Sequence, residues 1–192
     1  MMAGLLIVFV FVATEPTITA YKAEVLRQSI SEVLKGPARF DTLYVHEGAL
    51  TRQLPAGVAA EDVEQIYLGF TEDEEQVGFA IASGEPGFQD IIRLIYGYDV
   101  RTETVLGMKV LESKETPGLG DKIEKDMDFV NQFDGAAAPL VAVKSSRSTG
   151  SDNEIDMITG VTISSRAIVR IINNSLERLG PMMEAYVGGG GE

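Results

Sequence analysis

Apolar residues recur at two different spacings along this chain of 192 residues, and each spacing predicts one kind of secondary structure. A spacing of three to four positions, typical of an amphipathic helix, covers residues 17–35 and again residues 162–179. The pair Gly36-Pro37 is expected to end the first helix, and Gly180-Pro181 is expected to end the second. One helix is therefore predicted near each end of the chain.

Between these helices the sequence changes to short runs rich in β-branched and aromatic residues, separated by acidic or Gly/Pro turns. The runs cover residues 63–70, 76–83, 90–100 and 104–113. Consecutive strands joined by short turns predict an antiparallel meander. The predicted fold class is α+β, in which an N-terminal membrane helix and an amphipathic helix precede an antiparallel sheet with packed helices.

Two shorter elements are predicted after the meander. Asp121 is expected to cap a helix that reaches Phe133, because Glu124 lies three residues on and completes a capping box. Residues 140–144 are expected to return as a short strand. Both would lie between the meander and the last helix.

The first 13 residues, MMAGLLIVFVFVA, are uncharged and strongly apolar. A membrane-spanning helix needs about 20 residues, so the run is long enough only if residues 14–20 continue it. Two alternatives are a cleavable signal peptide and a start site placed too far downstream. The domain boundaries follow as an anchor over residues 1–20, a membrane-proximal helix over 21–37, a main domain over 38–187 and a flexible tail over 188–192.

Composition excludes several classes of function. Sixteen basic against twenty-nine acidic residues give a net charge of −13, which disfavours binding to nucleic acid. The chain has no Cys, so it forms no disulfide and offers no thiolate to an iron–sulfur cluster or a haem. Its single His, His46, cannot build a multi-histidine metal site. No catalytic residue and no metal site are predicted, and any redox chemistry requires a bound group.

One candidate site lies where the last helix begins, in the segment DMITGVTISSRA. A helix N-terminus offers unpaired N–H groups and about half a positive charge, which together stabilise a phosphate. A glycine there lets the backbone approach the phosphate closely. The alternative is that Thr162 is only the N-cap of the helix. The candidate residues are Asp156, Thr159, Gly160, Val161, Thr162, Ser164 and Ser165.

A second candidate is the loop ESKETPGLGDKIE, which directly follows the last β-rich run. Its proline restricts one φ angle, and its two glycines leave room for a flat ligand to lie against the backbone. The alternative is an ordinary turn leading to a capped helix. The candidate residues are Glu115, Thr116, Gly118, Leu119 and Gly120.

These two motifs together resemble the FMN-binding domain of the G subunit of Rnf-type electron-transport complexes. That protein is related to the C subunit of sodium-pumping NADH:quinone oxidoreductases. In this family, the motif Asp-x-x-Ser/Thr-Gly-Ala-Thr carries FMN joined through its phosphate to the last Thr. The motif matches residues 156–162, with Val161 in place of the usual Ala. The resemblance therefore implies a covalent phosphoester of FMN on Thr162.

The resemblance also implies a function. The chain would be an electron-transfer subunit, not catalytic alone, in a membrane complex that couples ferredoxin and NAD to Na⁺ or H⁺ movement. Its partners would be the other subunits, the lipid bilayer and a flavin transferase that takes FMN from FAD.

The family places this domain on the extracytoplasmic side of the cell membrane, held by a single N-terminal anchor. The basic residues after the apolar run, Lys22, Arg27 and Lys35, favour a cytoplasmic domain instead. We follow the resemblance, because a missing upstream flank would remove that conflict. The alternative functions are a membrane-tethered scaffold or sensor domain without flavin, and a domain that binds FMN reversibly.

Overall fold

The computed structural model describes residues 21–189. The predicted membrane anchor, residues 1–20, lies outside this range, as do residues 190–192. Across the described range, no helix combines the length and apolar character needed to cross a bilayer.

A seven-stranded antiparallel sheet forms the centre of the fold, with its strands in the order β2-β1-β3-β4-β5-β6-β7. The four predicted runs form β3 to β6, which confirms the antiparallel meander. The sequence did not predict β1, β2 and β7, which extend the sheet at its two edges. The strands are β1 (Arg39–His46), β2 (Ala49–Thr51), β3 (Gln65–Phe70), β4 (Gln76–Pro86), β5 (Ile91–Asp99), β6 (Thr104–Glu112) and β7 (Ala136–Ala137).

Two further strands form a small parallel sheet beside the main one. They are β8 (Val141–Val143) and β9 (Glu154–Asp156). The first confirms the strand predicted over residues 140–144. The second ends at Asp156, so this small sheet leads directly into the turn before the last helix.

Four α-helices accompany the sheets in the described range. They are α1 (residues 21–33), α2 (Lys122–Lys125), α3 (Met127–Val130) and α4 (Thr162–Gly188). The single helix predicted from Asp121 to Phe133 is therefore wrong. Asp126 interrupts it, because its side chain accepts the N–H of Asp128 at 3.2 Å and caps α3 instead of continuing α2.

Asp121 also differs from its predicted role. It precedes α2 but makes no side-chain cap hydrogen bond, so the capping box with Glu124 is not formed. Its carboxylate instead accepts a hydrogen bond from Lys125 Nζ at 2.7 Å. An ion pair one turn along the helix has replaced the cap.

The last helix continues past its predicted end. Gly180 and Pro181 lie inside α4, which extends to Gly188. An internal proline costs about 3 kcal/mol, because it removes one backbone hydrogen bond. Beyond it, Met183 and Tyr186 continue the buried stripe, and each such side chain contributes about 1.5–3 kcal/mol. Burial against the sheet outweighs the local preference for a helix end. Gly188, the first residue of the predicted flexible tail, belongs to α4.

The sheet is covered on both faces. On one face, α1 buries Ile30, Val33 and Leu34 against side chains of β3, β4 and β5. On the other face, α4 packs over the larger core, and the buried hydroxyls of Tyr96 and Ser175 lie 2.7 Å apart in a hydrogen bond between β5 and α4. This arrangement confirms the α+β class with helices packed on an antiparallel sheet.

Two glycines of the sheet allow α1 to approach closely. A Cβ at Gly97 would collide with the backbone carbonyl of Val33, and one at Gly69 would lie 2.7 Å from Leu34 Cδ1. Protein interiors have little spare volume, so a methyl at Gly97 requires the backbone of the helix to move, whereas one at Gly69 requires the Leu34 side chain to shift.

We expect Gly97→Ala to lower the free energy of unfolding by at least about 2 kcal/mol, because it forces α1 away from the sheet. Gly180→Ala is the matched control. A Cβ there meets no atom within 4 Å, and the change should raise stability by up to about 1 kcal/mol. Denaturant unfolding of both variants tests the contact, and equal stability of the two would contradict it.

Candidate functional site

Both candidate motifs line a single cavity of about 300 Å³. Three segments meet there: the hairpin that joins β4 to β5, the loop after β6, and the start of α4. The structure therefore brings together two motifs that are distant in sequence. We call this space the ring cavity; its lining residues are Phe88, Glu115, Thr116, Leu119, Gly120, Gly160, Val161, Thr162, Ile163 and Ser164.

A second cavity, of about 270 Å³, adjoins the first. Gly160 and Thr162 line both cavities, so Thr162 lies at their boundary. The second cavity is more polar and includes three residues from the segment after β8 that the sequence did not single out. Its lining residues are Lys144, Ser145, Ser146, Met157, Thr159, Gly160 and Thr162.

The turn before α4 is held by its own hydrogen bonds. Gly160 has φ +84°, a left-handed conformation that glycine adopts without strain. The Ser165 hydroxyl donates to the Val161 carbonyl at 2.9 Å and accepts the N–H of Ile158 at 3.2 Å. Ser165 lines neither cavity, so its hydroxyl serves the turn and is not directed at a ligand.

The first turn of α4 presents free donors. Val161 occupies the N-cap position and no side chain caps the helix, so the alternative in which Thr162 is the N-cap is wrong. Within the helix, the first N–H that donates a backbone hydrogen bond is that of Ser165, to the Val161 carbonyl at 2.9 Å. The three preceding N–H groups, those of residues 162–164, have no backbone acceptor within residues 21–189. With the helix dipole, they form a seat for an anion.

The loop after β6 is a compact turn. The carbonyl of Thr116 accepts the N–H groups of Leu119 at 3.1 Å and Gly120 at 2.8 Å, and Gly118 has φ +76°. Thr116, Leu119 and Gly120 line the ring cavity, whereas Gly118 lies at the exposed tip of the turn.

Glu115 joins the three walls of the ring cavity. Its side chain is buried, with an exposed fraction of 5%. Its Oε1 accepts the N–H groups of Phe88 at 2.8 Å and Gln89 at 3.1 Å. Its Oε2 accepts the hydroxyl of Ser164 at 2.8 Å. One carboxylate thus connects the loop after β6 to the hairpin and to α4.

A second carboxylate also connects the hairpin to α4. Glu85, near the end of β4, accepts hydrogen bonds from Arg170 at 2.8 Å and Asn174 at 2.7 Å. Partial burial raises the pKa of Glu85, but these hydrogen bonds outweigh burial and hold its pKa below the usual value. The carboxylate is therefore charged at neutral pH, and the hairpin is held both at the end of β4 and within its turn.

Three exposed apolar side chains surround the ring cavity. Phe88, Leu119 and Ile163 come from the three different walls and are 63%, 47% and 55% exposed. Large apolar groups exposed together in this way typically mark a binding surface. Phe88 was not predicted from the sequence, because a lone aromatic residue in a turn follows no pattern.

Asp156 lines neither cavity. The amide of Gln132 holds its backbone, accepting the Asp156 N–H at 2.6 Å and donating to its carbonyl at 3.3 Å. The carboxylate oxygen Oδ1 is buried and has no hydrogen-bond partner among the described residues. Such an oxygen is costly to bury, which is typical of a functional position.

Comparison with known proteins gives consistent results. A family model described as an FMN-binding domain matches residues 87–177. The G subunit of the ion-translocating oxidoreductase complex of Vibrio vulnificus is 30% identical over 166 residues, or 85% of this chain and 76% of that protein. The protein of the same name from Methanosarcina acetivorans is 25% identical over 179 residues, or 91% of this chain and 86% of that protein.

Among solved structures, NqrC of Shewanella oneidensis has a similar fold. The TM-score is 0.72 at 14% sequence identity, and the match covers 86% of this chain and 99% of that one. At this level of identity, the similarity shows the fold alone.

The role of Ser165 in the turn is testable. We expect Ser165→Ala to lower the free energy of unfolding by about 1–2 kcal/mol, because the partly buried N–H of Ile158 loses its acceptor. Ser31→Ala, at an exposed position of α1, is the control and should change stability by less than about 0.5 kcal/mol. Urea unfolding compares the two, and equal losses would show that the turn does not need this hydroxyl.

Proposed function

The chain belongs to the family of G subunits of ion-translocating oxidoreductase complexes, and we propose that it relays electrons in such a membrane-bound complex through FMN held covalently on Thr162. The observation that carries the proposal is the convergence of both motifs on one cavity, with Thr162 in its wall. The complex would couple ferredoxin and NAD redox chemistry to Na⁺ or H⁺ translocation.

The start of α4 fits the phosphate of FMN. The free N–H groups of residues 162–164 and the positive end of the helix stabilise its negative charge. Gly160 has no Cβ to obstruct the phosphate. Thr162 is half-buried at the boundary of the two cavities, where its hydroxyl oxygen can form the ester bond.

The ring cavity fits a flat aromatic system. Phe88, Leu119 and Ile163 offer apolar contacts from three sides, while Thr116 and Gly120 complete the lining. A volume of about 300 Å³ lies at the lower end of the range for ligand pockets, so part of the ring would remain exposed. When bound, FMN supplies one-electron redox chemistry to a chain that has no Cys and only one His.

We assign attachment of the flavin to a separate flavin transferase acting on FAD. The bond between Thr162 Oγ and the FMN phosphorus forms, the hydroxyl proton passes to a base of the transferase, the pyrophosphate bond of FAD breaks, and AMP leaves. Within the described residues, no side chain accepts a hydrogen bond from Thr162 to act as its base. Asp156, with its unpartnered buried oxygen, would present the segment to this enzyme.

We also propose a location in the membrane and partners for this chain. The apolar residues 1–13 would anchor the chain in the lipid bilayer, and the folded domain would lie on the extracytoplasmic side. Electrons would arrive from and leave to other subunits of the complex. Exposed apolar side chains around the ring cavity support exchange at this surface.

We expect the native chain to carry a flavin-sized mass increment that Thr162→Ala abolishes, because alanine has no hydroxyl to esterify. Thr162→Ser is the matched control and should keep the increment. Intact-mass measurement of the three proteins, each produced with a flavin transferase, decides the question. A native chain without the increment would refute covalent attachment.

The same samples separate the alternative functions. After acid precipitation, covalent flavin stays with the protein, whereas reversibly bound FMN appears in the supernatant. A scaffold or sensor domain without flavin would be colourless in both fractions.

The role of Asp156 can be measured separately. We expect Asp156→Asn to slow flavin attachment about tenfold or more while leaving apo-protein stability unchanged or slightly higher, because a buried unpartnered charge is removed. The measurement is the time course of the mass increment with a fixed amount of transferase. Attachment at the native rate would show that this carboxylate has no part in presentation.

A further inference from the structure

Glu115 is the one carboxylate in the wall of the ring cavity, among the residues that line it. The surrounding backbone is shaped to admit it. A Cβ at Gly87 would lie 2.5 Å from its Oε1, and a Cβ at Gly120 would lie 2.7 Å from its own Cβ. Any other residue at either glycine would displace this side chain.

Neutral donors alone compensate the charge of Glu115. Its partners are two backbone N–H groups, from Phe88 and Gln89, and the hydroxyl of Ser164. No ion pair within residues 21–189 includes it, although eleven pairs form elsewhere in that range. A buried charge without a counter-ion acts over a longer distance than a paired or solvated one.

We propose that Glu115 holds the walls of the flavin site in place and that its fixed negative charge lowers the midpoint potential of the flavin. This inference rests on the proposed function. Added electrons increase the negative charge on the ring, and a nearby carboxylate opposes that increase. The same three hydrogen bonds keep the hairpin, the loop and α4 at a constant separation. Glu115 is thus a positioning residue as well as a source of electrostatic potential.

Glu115→Gln removes the charge of the side chain and can keep its hydrogen bonds. The glutamine Oε1 can still accept the two backbone N–H groups, and its Nε2 can donate to the Ser164 hydroxyl. We expect full flavin occupancy and a higher midpoint potential. The expected shift is about tenfold in the ratio of oxidised to reduced flavin at a fixed potential, or about 59 mV for a one-electron couple.

Ser164→Ala changes the potential in the opposite direction. It keeps the carboxylate but removes one of its three donors, so the charge is less compensated and the midpoint potential falls. Glu64→Gln is the control for a change of charge alone. Glu64 accepts hydrogen bonds from Arg178, which lies 16 residues after Thr162 on α4, or about 24 Å along the helix. The flavin of this variant should therefore have the native midpoint potential.

The experiment is a spectroelectrochemical titration of the full-length flavinylated chain and its three variants, with occupancy measured by intact mass. Thermal unfolding of the apo proteins adds a readout that does not depend on flavin. Glu115→Ala should lower the melting temperature, because Phe88, Gln89 and Ser164 lose their acceptor, whereas Glu115→Gln should stay near the native value.

A higher midpoint potential for Glu115→Gln together with a lower one for Ser164→Ala supports the proposal. A native potential for Glu115→Gln overturns it. If that variant does not fold, an unchanged potential for Ser164→Ala overturns it instead. A native chain without flavin would refute the proposed function, whereas a flavinylated chain with unchanged potentials would refute only this inference.

Discussion

The packing of α4 across one face of the sheet is the contact on which the candidate site depends. Its buried stripe runs from Ile168 through Ile172 and Leu179 to Tyr186, along nearly the whole helix. A shift or rotation of α4 would expose part of that stripe, at about 25 cal/mol for each Å² of apolar surface. The helix start is therefore fixed beside the loop after β6.

Hydrogen bonds of two carboxylates also hold the segments around the candidate site. Glu85 and Glu115 both connect the hairpin between β4 and β5 to α4, and Glu115 also belongs to the loop after β6. Functional residues are commonly found on loops that a rigid scaffold positions. Here the hydrogen bonds of two carboxylates hold the hairpin, the loop after β6 and α4 in a constant arrangement.

Features that depend on residues close together in the sequence could be predicted, whereas features that depend on distant residues could not. The meander from β3 to β6 was predictable, because consecutive strands pair through short turns. The end of α4 was not, because the burial of Met183 and Tyr186 against distant strands overrides Gly180 and Pro181. Lys144 and Phe88 were missed in the same way, since nothing in their own neighbourhoods marks them.

Composition alone determined that any redox chemistry of this chain requires a bound group, and local pattern determined that its last helix begins with a glycine turn and hydroxyls. Hydrogen-bond preferences and apolar spacing act over a few residues, so the sequence shows them directly. Only the tertiary structure decided that Ser164 meets Glu115, 49 residues away, and that Val161 rather than Thr162 is the N-cap. Those contacts depend on how α4 lies over the sheet, which no local pattern encodes.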